Sequence, residues 1–452
     1  MRNPIPPPIV ATVACLLALA CPAAAAPGAP GAVVVVGPLV RLAREAGLRL
    51  LEGRHLVLAT DRPVREGDGV AELPAVFDEA FLAWCGHYGL NPADHADWRC
   101  FGCLVVDREK FRAAGLLPDT LPPFANGFCD RNRFWLMDQS NPAYRRHLLL
   151  HEGVHAFTLT LRGLATPVWY NEGIAEYLAT HRLDRDGAEA RFAWTPIPAS
   201  PDDVEQLGRI EMLRESCASG SPPGLGDVLG LTVAEHGTIA DYAASWAAVA
   251  LLANHPAYAR GFAALERGPL GPDFNSRLAT LPGWDPDRAA RDYAAFVGDI
   301  DYGWDFSRLA IDWSPGLPPA GRVTLPVDAS RGWQNTGVAV AAGRRYAFTA
   351  TGRVGLGTVT DAATGAVAPL ESEADGISLE WYRGRPTGRL LIGQWVQQPA
   401  AGGPPRFEVL ASGAQGELTA VADGPLYLRL NGPPGRLAAR DGTISVTVTP
   451  LP

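Results

Sequence analysis

The feature that most constrains the fold of this chain is an abrupt change of pattern at residues 314–321, a segment rich in proline and glycine. Before this segment, residues 141–300 place apolar side chains at helical spacing, whereas after it short strand-like runs occur, as at residues 323–327. A pattern with the period of a helix does not fit a strand. The sequence therefore predicts two folding units of different class, residues 27–313 and residues 322–452, joined by a linker.

The first unit is predicted to mix strands and helices. Residues 73–88 have the apolar spacing of a helix, residues 122–129 are rich in turn formers, and residues 185–300 are predicted to be mostly helical. The strand-like runs are residues 55–61, 101–106 and 134–137. The fold class expected for the whole chain is α+β, with an all-β sandwich at the carboxy-terminal end.

The composition excludes several classes of protein. Hydrophobic residues make up 47% and charged residues 19% of the chain, which is typical of folded domains rather than of disorder. The formal net charge is −9, and Lys110 is the one lysine among the 39 basic residues. No basic surface for nucleic acid is therefore predicted.

Residues 1–26 resemble a secretory signal peptide. Arg2 precedes an apolar run at residues 9–20, and small residues follow at residues 22–26. We therefore expect an exported protein, periplasmic or extracellular, with lipid anchoring through Cys21 as the minor alternative. No later run reaches about 18 uninterrupted apolar residues, so no transmembrane span is predicted.

Cysteine usage agrees with export. Removal of the signal leaves an odd number of cysteines, so at least one thiol is unpaired. We expect two disulfides among the first four, with the pairing left open, and a free thiol at the fifth. In chain order they are Cys85, Cys100, Cys103, Cys129 and Cys217.

The motif that carries chemistry is His151-Glu152-Gly-Val-His155, flanked by apolar residues on a helix predicted to begin at Asn141-Pro142. Residues four apart lie on one helical face, so both imidazoles can bind one zinc ion. Glu152 lies beside them and can accept a proton from a water molecule. Such a pattern is expected by chance roughly 0.02 times in a chain of this composition. The motif therefore predicts a Zn²⁺ site with a general base.

A second motif, Asn171-Glu172-Gly-Ile-Ala-Glu176-Tyr, follows 17 positions after the second histidine. The two motifs together resemble the gluzincins, the thermolysin-like zinc peptidases, and most closely the peptidase MA-like families. The resemblance implies a zincin fold over about residues 55–308. It also implies that Glu172 completes the ligand set of His151 and His155, and that Glu152 is the general base.

Further residue roles follow from the same resemblance. Glu176, with Asn171 beside it, would lie behind the ligands, and Glu176 would orient the imidazole of His151. Tyr242, at the start of a predicted helix, would stabilise the oxyanion, with Tyr170 as a poorer alternative. His147 is assigned no metal role. The GxMEN signature of the related aminopeptidases is absent before the helix, so endopeptidase activity is expected.

The carboxy-terminal unit resembles the PA-IL-like, galactose-binding lectin jelly roll. The resemblance rests on five stretches and covers about residues 320–450. In the loop that supplies calcium ligands in those lectins, the usual oxygen donors are replaced by Gly432, Arg436, Ala439 and Arg440. Since arginine repels a cation, we expect an accessory domain without calcium-dependent galactose binding. The stretches are residues 333–343, 346–352, 388–393, 426–431 and 442–446.

The function expected from the sequence is that of an exported zinc peptidase whose partner is a peptide or protein substrate. Glycan contact through the carboxy-terminal unit stays open. The alternative is a catalytically idle zincin scaffold that acts as a surface module for binding carbohydrate or protein. The intact set of His151, His155, Glu172 and Glu152 favours the enzyme.

Overall fold

The structure is a computed structural model that describes residues 33–452 except 164–165, 187–188, 206–207, 221, 361–362 and 401. The predicted signal peptide at residues 1–26, including Cys21, lies outside the described residues. The fold is mixed α+β, as expected. Within the described residues, no helix is long and apolar enough to span a membrane.

The helices, in chain order, are α1 Val36–Glu45, α2 Leu73–Tyr88, α3 Arg108–Ala113, α4 Pro142–Phe157, α5 Val168–Ala179, α6 Arg209–Ala218, α7 Leu225–Gly230, α8 Ile239–Asn254, α9 Ala259–Arg267, α10 Phe274–Ala279, α11 Pro286–Asp299 and α12 Phe306–Leu309. The strands of the first unit are β1 Arg49–Glu52, β2 Leu56–Thr60, β3 Cys100–Val105, β4 Gly127–Asp130, β5 Arg133–Met137, β6 His181–Asp186 and β7 Glu189–Trp194. The strands of the second unit are β8 Val323–Asp328, β9 Gln334–Val340, β10 Arg345–Thr351, β11 Val354–Thr360, β12 Val367–Ser372, β13 Ile377–Tyr382, β14 Arg385–Thr387, β15 Leu390–Val396, β16 Arg406–Ser412, β17 Gln415–Thr419, β18 Gly424–Leu430 and β19 Asp441–Pro450.

A five-stranded sheet in the order β1-β2-β3-β5-β4 underlies the first unit. Strands β2, β3 and β5 are parallel, and the two outer strands are antiparallel to their neighbours. Alternate side chains enter two different cores, because successive residues of a strand point to opposite faces. Leu58 and Leu104 join the core with α2 and α4, whereas Val57 and Val105 join the core with Phe111 of α3.

Helices α4, α5 and α8 lie on the larger core and bring the two motifs together. Asn141 caps α4, since its side chain accepts hydrogen bonds from the backbone of Ala143 (2.8 Å) and Tyr144 (3.1 Å). Gly173 lets α5 approach α8 closely, because a Cβ there would lie 2.4 Å from the carbonyl oxygen of Ser245. Small residues at this crossing therefore fix the position of the helix that carries Glu172.

The second unit consists of two curled sheets packed face to face. One has the order β12-β11-β19-β10-β17, with β8 also paired to β19, and the other has the order β16-β15-β18-β9. Their inward residues share one apolar core, to which Phe348 and Val446 come from the first sheet and Ile392 and Leu428 from the second. The hairpin β13-β14 forms a separate pair.

The two units are in direct contact. Ala295 and Ile311 of the first unit form a small apolar cluster with Trp333, Leu391 and Tyr427 of the second. The predicted linker also takes part, since Leu317 exchanges backbone hydrogen bonds with residues 337 and 339 of the second unit (2.8 and 2.9 Å). Helix α11 therefore packs against the sheet that contains β15, β16 and β18.

Two local expectations are wrong in part. The stretch at residues 122–129, predicted as turns, contains the start of the edge strand β4. The hairpin β6-β7 interrupts a region predicted to be mostly helical. These strands pair with their sequence neighbours, β4 with β5 and β6 with β7, and the spacing of apolar residues along a single short strand does not indicate such hairpins.

The predicted disulfides do not form, and the five described cysteines carry free thiols. Cys100 and Cys103 are three residues apart on β3, so they point to opposite faces and enter different cores. Cys85 lies on α2 in the core with Cys100, and Cys129 packs against that core. Burial raises the pKa of Cys85 to about 11 and raises the pKa of Cys129 well above its usual range. These thiols pack as small apolar side chains.

Candidate metal centre

Helix α4 presents two buried imidazoles on one face. His151 and His155 are four residues apart, and their Nε2 atoms lie 3.1 Å from each other. Neighbouring helix α5 places the carboxylate of Glu172 opposite them. Its Oε2 lies 3.4 Å from Nε2 of His151 and 3.5 Å from Nε2 of His155. The structure therefore brings all three residues predicted as zinc ligands to one point.

These distances fit a tetrahedral zinc ion. Protein ligands lie about 2.0–2.2 Å from zinc, so two ligand atoms of a tetrahedron are about 3.3–3.6 Å apart. Two of the observed separations, 3.4 and 3.5 Å, lie within this range, and the third, 3.1 Å between the two imidazole nitrogens, is slightly shorter. Two nitrogens and one oxygen are also the donor set of catalytic zinc sites, in which a fourth position is left for water or substrate.

An unsatisfied atom points to the same conclusion. Oε2 of Glu172 is buried and has no hydrogen-bond partner among the described residues. A buried carboxylate oxygen without a partner is costly, and a cation between it and the two imidazoles removes that cost. The other oxygen, Oε1, accepts a hydrogen bond of 3.2 Å from the side chain of Asn171, which is thus placed beside the ligand as predicted.

The electrostatics of the site favour a positive charge at its centre. Burial opposes protonation of His151, but the carboxylates of Glu172 and Glu176 outweigh it and raise the pKa of His151 to about 10. Burial also opposes ionisation of Glu172, but His155 and His151 lower its pKa below the usual range. Two ionised carboxylates thus surround His151, and either a proton or a metal ion can balance them.

Glu152 lies beside the histidines and is itself buried. Burial raises the pKa of this carboxyl group, while the two histidines oppose the rise. Strand β4 leaves room for it at Gly127, where a Cβ would lie 2.3 Å from Oε1 of Glu152 and 2.9 Å from its Cδ. The sequence did not indicate Gly127, because its role depends on a contact between β4 and α4.

Glu176 lies one turn after Glu172 and connects the site to a wider network. Its Oε1 is 3.2 Å from Nδ1 of His151, and its Oε2 is 3.0 Å from Nε2 of His147. Arg209, at the start of α6, donates two hydrogen bonds to the same carboxylate, at 2.7 and 2.5 Å. Burial opposes ionisation of Glu176, but Arg209 and His147 lower its pKa well below the usual range.

Arg209 is a residue that the sequence analysis missed, since no motif marks it. His147, His151 and Glu176 also come close enough to form a second group of metal donors. The guanidinium of Arg209 already neutralises Glu176, so this second group is a poorer cation site than the first. His147 is a hydrogen-bonded residue at the edge of the site.

A cleft with an empty volume of about 540 Å³ opens onto His151 and Glu152. Tyr242 lines it, with its ring 6.1 Å from that of His151 between centroids. His236, also missed by the sequence analysis, packs edge-on against Tyr242 at 4.6 Å. Tyr170 does not line this cleft. Its hydroxyl donates a hydrogen bond of 3.1 Å to the carboxylate of Glu266 and contacts the hydroxyl of Tyr88. The structure thus places Tyr242, and not Tyr170, at the cleft.

The loop at residues 431–441 of the second unit has a different character. The side chain of Arg440 is buried and donates hydrogen bonds to the carbonyl oxygens of Leu430 (3.3 Å) and Asn431 (3.2 Å). A Cβ at position 432 would lie 1.6 Å from its Nη2. Burial, with Arg429 nearby, lowers the pKa of Arg440 to about 10. A guanidinium therefore occupies this loop.

Comparisons with known proteins do not identify a family for this chain. No protein-family model matches this chain, and no curated protein matches it. One solved structure with a similarity to it is described as "EclA N-terminal domain; PllA-like lectin". It is 22% identical, the match covers 28% of this chain and 95% of that chain, and the TM-score is 0.19. At this level the likeness adds nothing to the assignment of a function.

Proposed function

We propose that this protein is a zinc-dependent metallopeptidase of the gluzincin type that hydrolyses peptide bonds, with the second unit as an accessory domain. The observation that carries the proposal is that Nε2 of His151, Nε2 of His155 and Oε2 of Glu172 lie 3.1–3.5 Å from one another. This Oε2 has no hydrogen-bond partner among the described residues. His151, His155 and Glu172 would hold the metal. When bound, zinc supplies Lewis acidity and makes water nucleophilic near neutral pH.

The chain's own residues supply the proton transfers. Glu152 lies next to both histidines, and its raised pKa brings it closer to the working range of a general base. It accepts a proton from the attacking water at a carboxylate oxygen and passes it to the leaving amine. Gly127 leaves the space in which the side chain of Glu152 is held.

Two other groups prepare the site. Oε1 of Glu176 lies 3.2 Å from Nδ1 of His151 on the side away from Glu172, so Nε2 of that ring would be the atom that binds the metal. Arg209 and His147 hold Glu176 in turn. Tyr242 lies on the cleft side of His151, where its hydroxyl can donate a hydrogen bond to the oxygen that becomes negative.

The experiment that tests the proposal combines metal analysis with peptide hydrolysis. Wild-type protein is expected to bind one zinc ion and to cleave internal bonds of an unstructured protein such as casein. Glu152→Gln should retain the zinc and lose about 10²–10⁴-fold in rate, because it cannot accept the proton. Glu215→Gln, an exposed glutamate on α6, is the matched control and should behave as wild type.

Two outcomes would refute the proposal. One is a protein that binds zinc but cleaves no bond of a broad peptide library. The other is a Glu152→Gln variant that cleaves as fast as wild type. Gly127→Ala adds an independent check, since it should slow hydrolysis by displacing Glu152 while zinc binding stays unchanged.

A further inference from the structure

A groove between the two units, away from the metal centre, has features of a ligand site. It consists of two adjoining cavities that share Ala294 and Trp395, with empty volumes of about 720 and 1530 Å³. Helix α11 forms one wall, and strands of the sheet β16-β15-β18-β9 form the other. We call the smaller cavity the arginine end and the larger cavity the open end.

The arginine end is strongly cationic in an otherwise acidic protein. Its lining includes Arg383, Arg385, Arg406 and Arg429, whereas the single lining carboxylate is that of Asp299, and Arg406 is paired at 3.3 Å with Glu408 outside the lining. Among the described residues, Arg383 and Arg429 both donate to Asp299, so one negative charge faces two positive charges. Since the whole chain has a formal charge of −9, this local excess of positive charge points to an anionic ligand.

Two arginines of the groove also have unused hydrogen-bonding capacity. The side chain of Arg429 is 6% exposed, and its Nε has no hydrogen-bond partner among the described residues. Nε of Arg291 at the open end is likewise buried without a partner, and its guanidinium lies 5.5 Å from the ring centre of Trp313. In addition, the exposed side chain of Arg385 forms no hydrogen bond or ion pair within the described part of the chain. Guanidinium groups bind carboxylates in a planar, two-point geometry.

Trp395 lies where the two cavities meet. Its indole is half-buried, contacts Trp313 and Phe407 edge-on at 5.1 and 5.2 Å, and donates a hydrogen bond to Gln397 at 3.2 Å. A partly exposed indole in a polar groove suits a ligand with one apolar face and a polar rim. A sugar ring has this character, because its C–H groups form a face and its hydroxyl groups form the rim.

The open end distinguishes a sugar from an acidic peptide. Its lining includes the carboxylates of Asp227, Asp287 and Asp423, which accept hydrogen bonds from hydroxyl groups but repel a continuous run of acidic side chains. A ligand that fits the whole groove therefore carries a carboxylate at the arginine end and neutral hydroxyl-bearing units at the open end. We propose that the groove binds an acidic oligosaccharide that has a uronic-acid unit at one end and neutral sugars after it.

This proposal does not depend on the peptidase activity or on calcium. The carboxylate would lie against Arg385 and Arg429, and the adjoining neutral ring would stack on Trp395. The ion pairs of Asp299 with Arg383 and Arg429 hold the walls in place, so little ordering is needed on binding. The loop at residues 431–441, which the guanidinium of Arg440 occupies, takes no part as a cation site.

The test measures calorimetric binding of a tetrasaccharide with one terminal glucuronic acid and three N-acetylglucosamine units to the full chain in calcium-free buffer. Wild type should bind it, and binding should weaken as salt is raised. Arg385→Gln and Trp395→Ala should each weaken binding at least tenfold. Arg344→Gln and Trp381→Ala, an exposed arginine and an exposed tryptophan outside the groove, should stay within twofold of wild type. Glu152→Gln should bind as wild type does.

Trp395 also packs against Phe407, so Trp395→Phe serves as a milder variant, and unfolding temperatures confirm that each variant is folded. Arg385→Gln changes an exposed side chain and tests the proposal whatever the outcome at Trp395. The proposal is wrong if wild type fails to bind the tetrasaccharide, or if Arg385→Gln binds it as wild type does. It is also wrong if the neutral N-acetylglucosamine tetrasaccharide or a poly-glutamate peptide binds as tightly as the acidic sugar.

Discussion

Two regions of this chain resemble, by sequence, families that bind a cation, and their structures differ in the charge buried there. Between α4 and α5, three donor atoms meet and an oxygen of Glu172 has no hydrogen-bond partner among the described residues. In the loop at residues 431–441, the buried group is the guanidinium of Arg440, which donates to the backbone carbonyl groups nearby. The first region presents nitrogen and oxygen donor atoms, and the second already contains a buried cationic side chain.

The two regions show that elements of the expected secondary structure can hold buried side chains of opposite charge. Both regions have the backbone expected of them, a helix pair in one case and a loop before the last strand in the other. Chemistry depends on individual side chains. Replacing an oxygen donor by Arg440 reverses the charge of the loop without disrupting the strands β18 and β19 on either side.

The largest effect expected from this difference is selective stabilisation by zinc. At a thousandfold excess over the dissociation constant, zinc should stabilise metal-depleted protein by about 4 kcal/mol, because it binds only the folded state. The unfolding temperature should rise by roughly 10 °C. Calorimetric or fluorescence melting curves with zinc, with calcium and with neither would measure this change in unfolding temperature.

Glu172→Ala separates the metal site from adventitious binding, since it removes one of the three donors. This variant should lose most of the response to zinc. The comparison fails if calcium stabilises the wild-type protein as much as zinc does, or if Glu172→Ala responds to zinc as wild type does.

The next effect concerns the arginine that neutralises Glu176. Arg209→Met leaves a buried carboxylate without its main partner, which should cost about 3 kcal/mol of the free energy of unfolding. It should also weaken zinc binding about 10–100-fold, because Glu176 orients His151. Denaturant unfolding and zinc titration measure the two effects, and Arg260→Met, at an exposed position on α9, is the control. Zinc affinity equal to that of wild type would show that Glu176 orients His151 without help from Arg209.

Helix α4 could be predicted because several local sequence signals agree there. Asn141 and Pro142 mark its first turn, apolar residues follow at helical spacing, and the two histidines lie four apart, so the backbone and the pairing of the imidazoles follow from the sequence. Glu172 was reached through the resemblance to a family, because nothing in its spacing alone says that α5 packs against α4.

Arg209, His236 and Gly127 could not be predicted for a physical reason. Each acts through a contact between elements distant in sequence, and each residue type is common enough to carry no signal alone. The disulfide expectation failed for a related reason. Alternation along β3 sends Cys100 and Cys103 to opposite faces, and this is visible only once the strand is known to be buried on both sides.

A smaller effect concerns His181, one of nine histidines that all lie between residues 55 and 255. His181 is buried, and its Nε2 accepts a hydrogen bond of 2.7 Å from Arg146. Burial and this arginine lower the pKa of His181 to about 3. Between pH 6.5 and pH 3 the unfolded chain therefore takes up a proton that the folded chain does not. The free energy of unfolding should fall as the pH decreases through this window.

We expect His181 to account for about 2 kcal/mol of lost stability between pH 6.5 and pH 4. Denaturant unfolding of wild type and of His181→Gln at pH 7, 5.5 and 4 measures it. The variant, which lacks the titrating ring, should show the shallower dependence on pH. Equal slopes for the two proteins would mean that His181 is not held neutral in the folded state.

The smallest effect distinguishes the two arginines of the loop at residues 431–441. Arg436 is 57% exposed and pairs with Glu380 at 2.6 Å, whereas Arg440 is buried. Arg436→Gln should therefore change the free energy of unfolding by less than about 1 kcal/mol. It should also leave the protein unresponsive to calcium, because the guanidinium of Arg440 still occupies the carbonyl groups of Leu430 and Asn431. Stabilisation of Arg436→Gln by calcium in a melting experiment would show instead that the exposed arginine alone keeps the cation out.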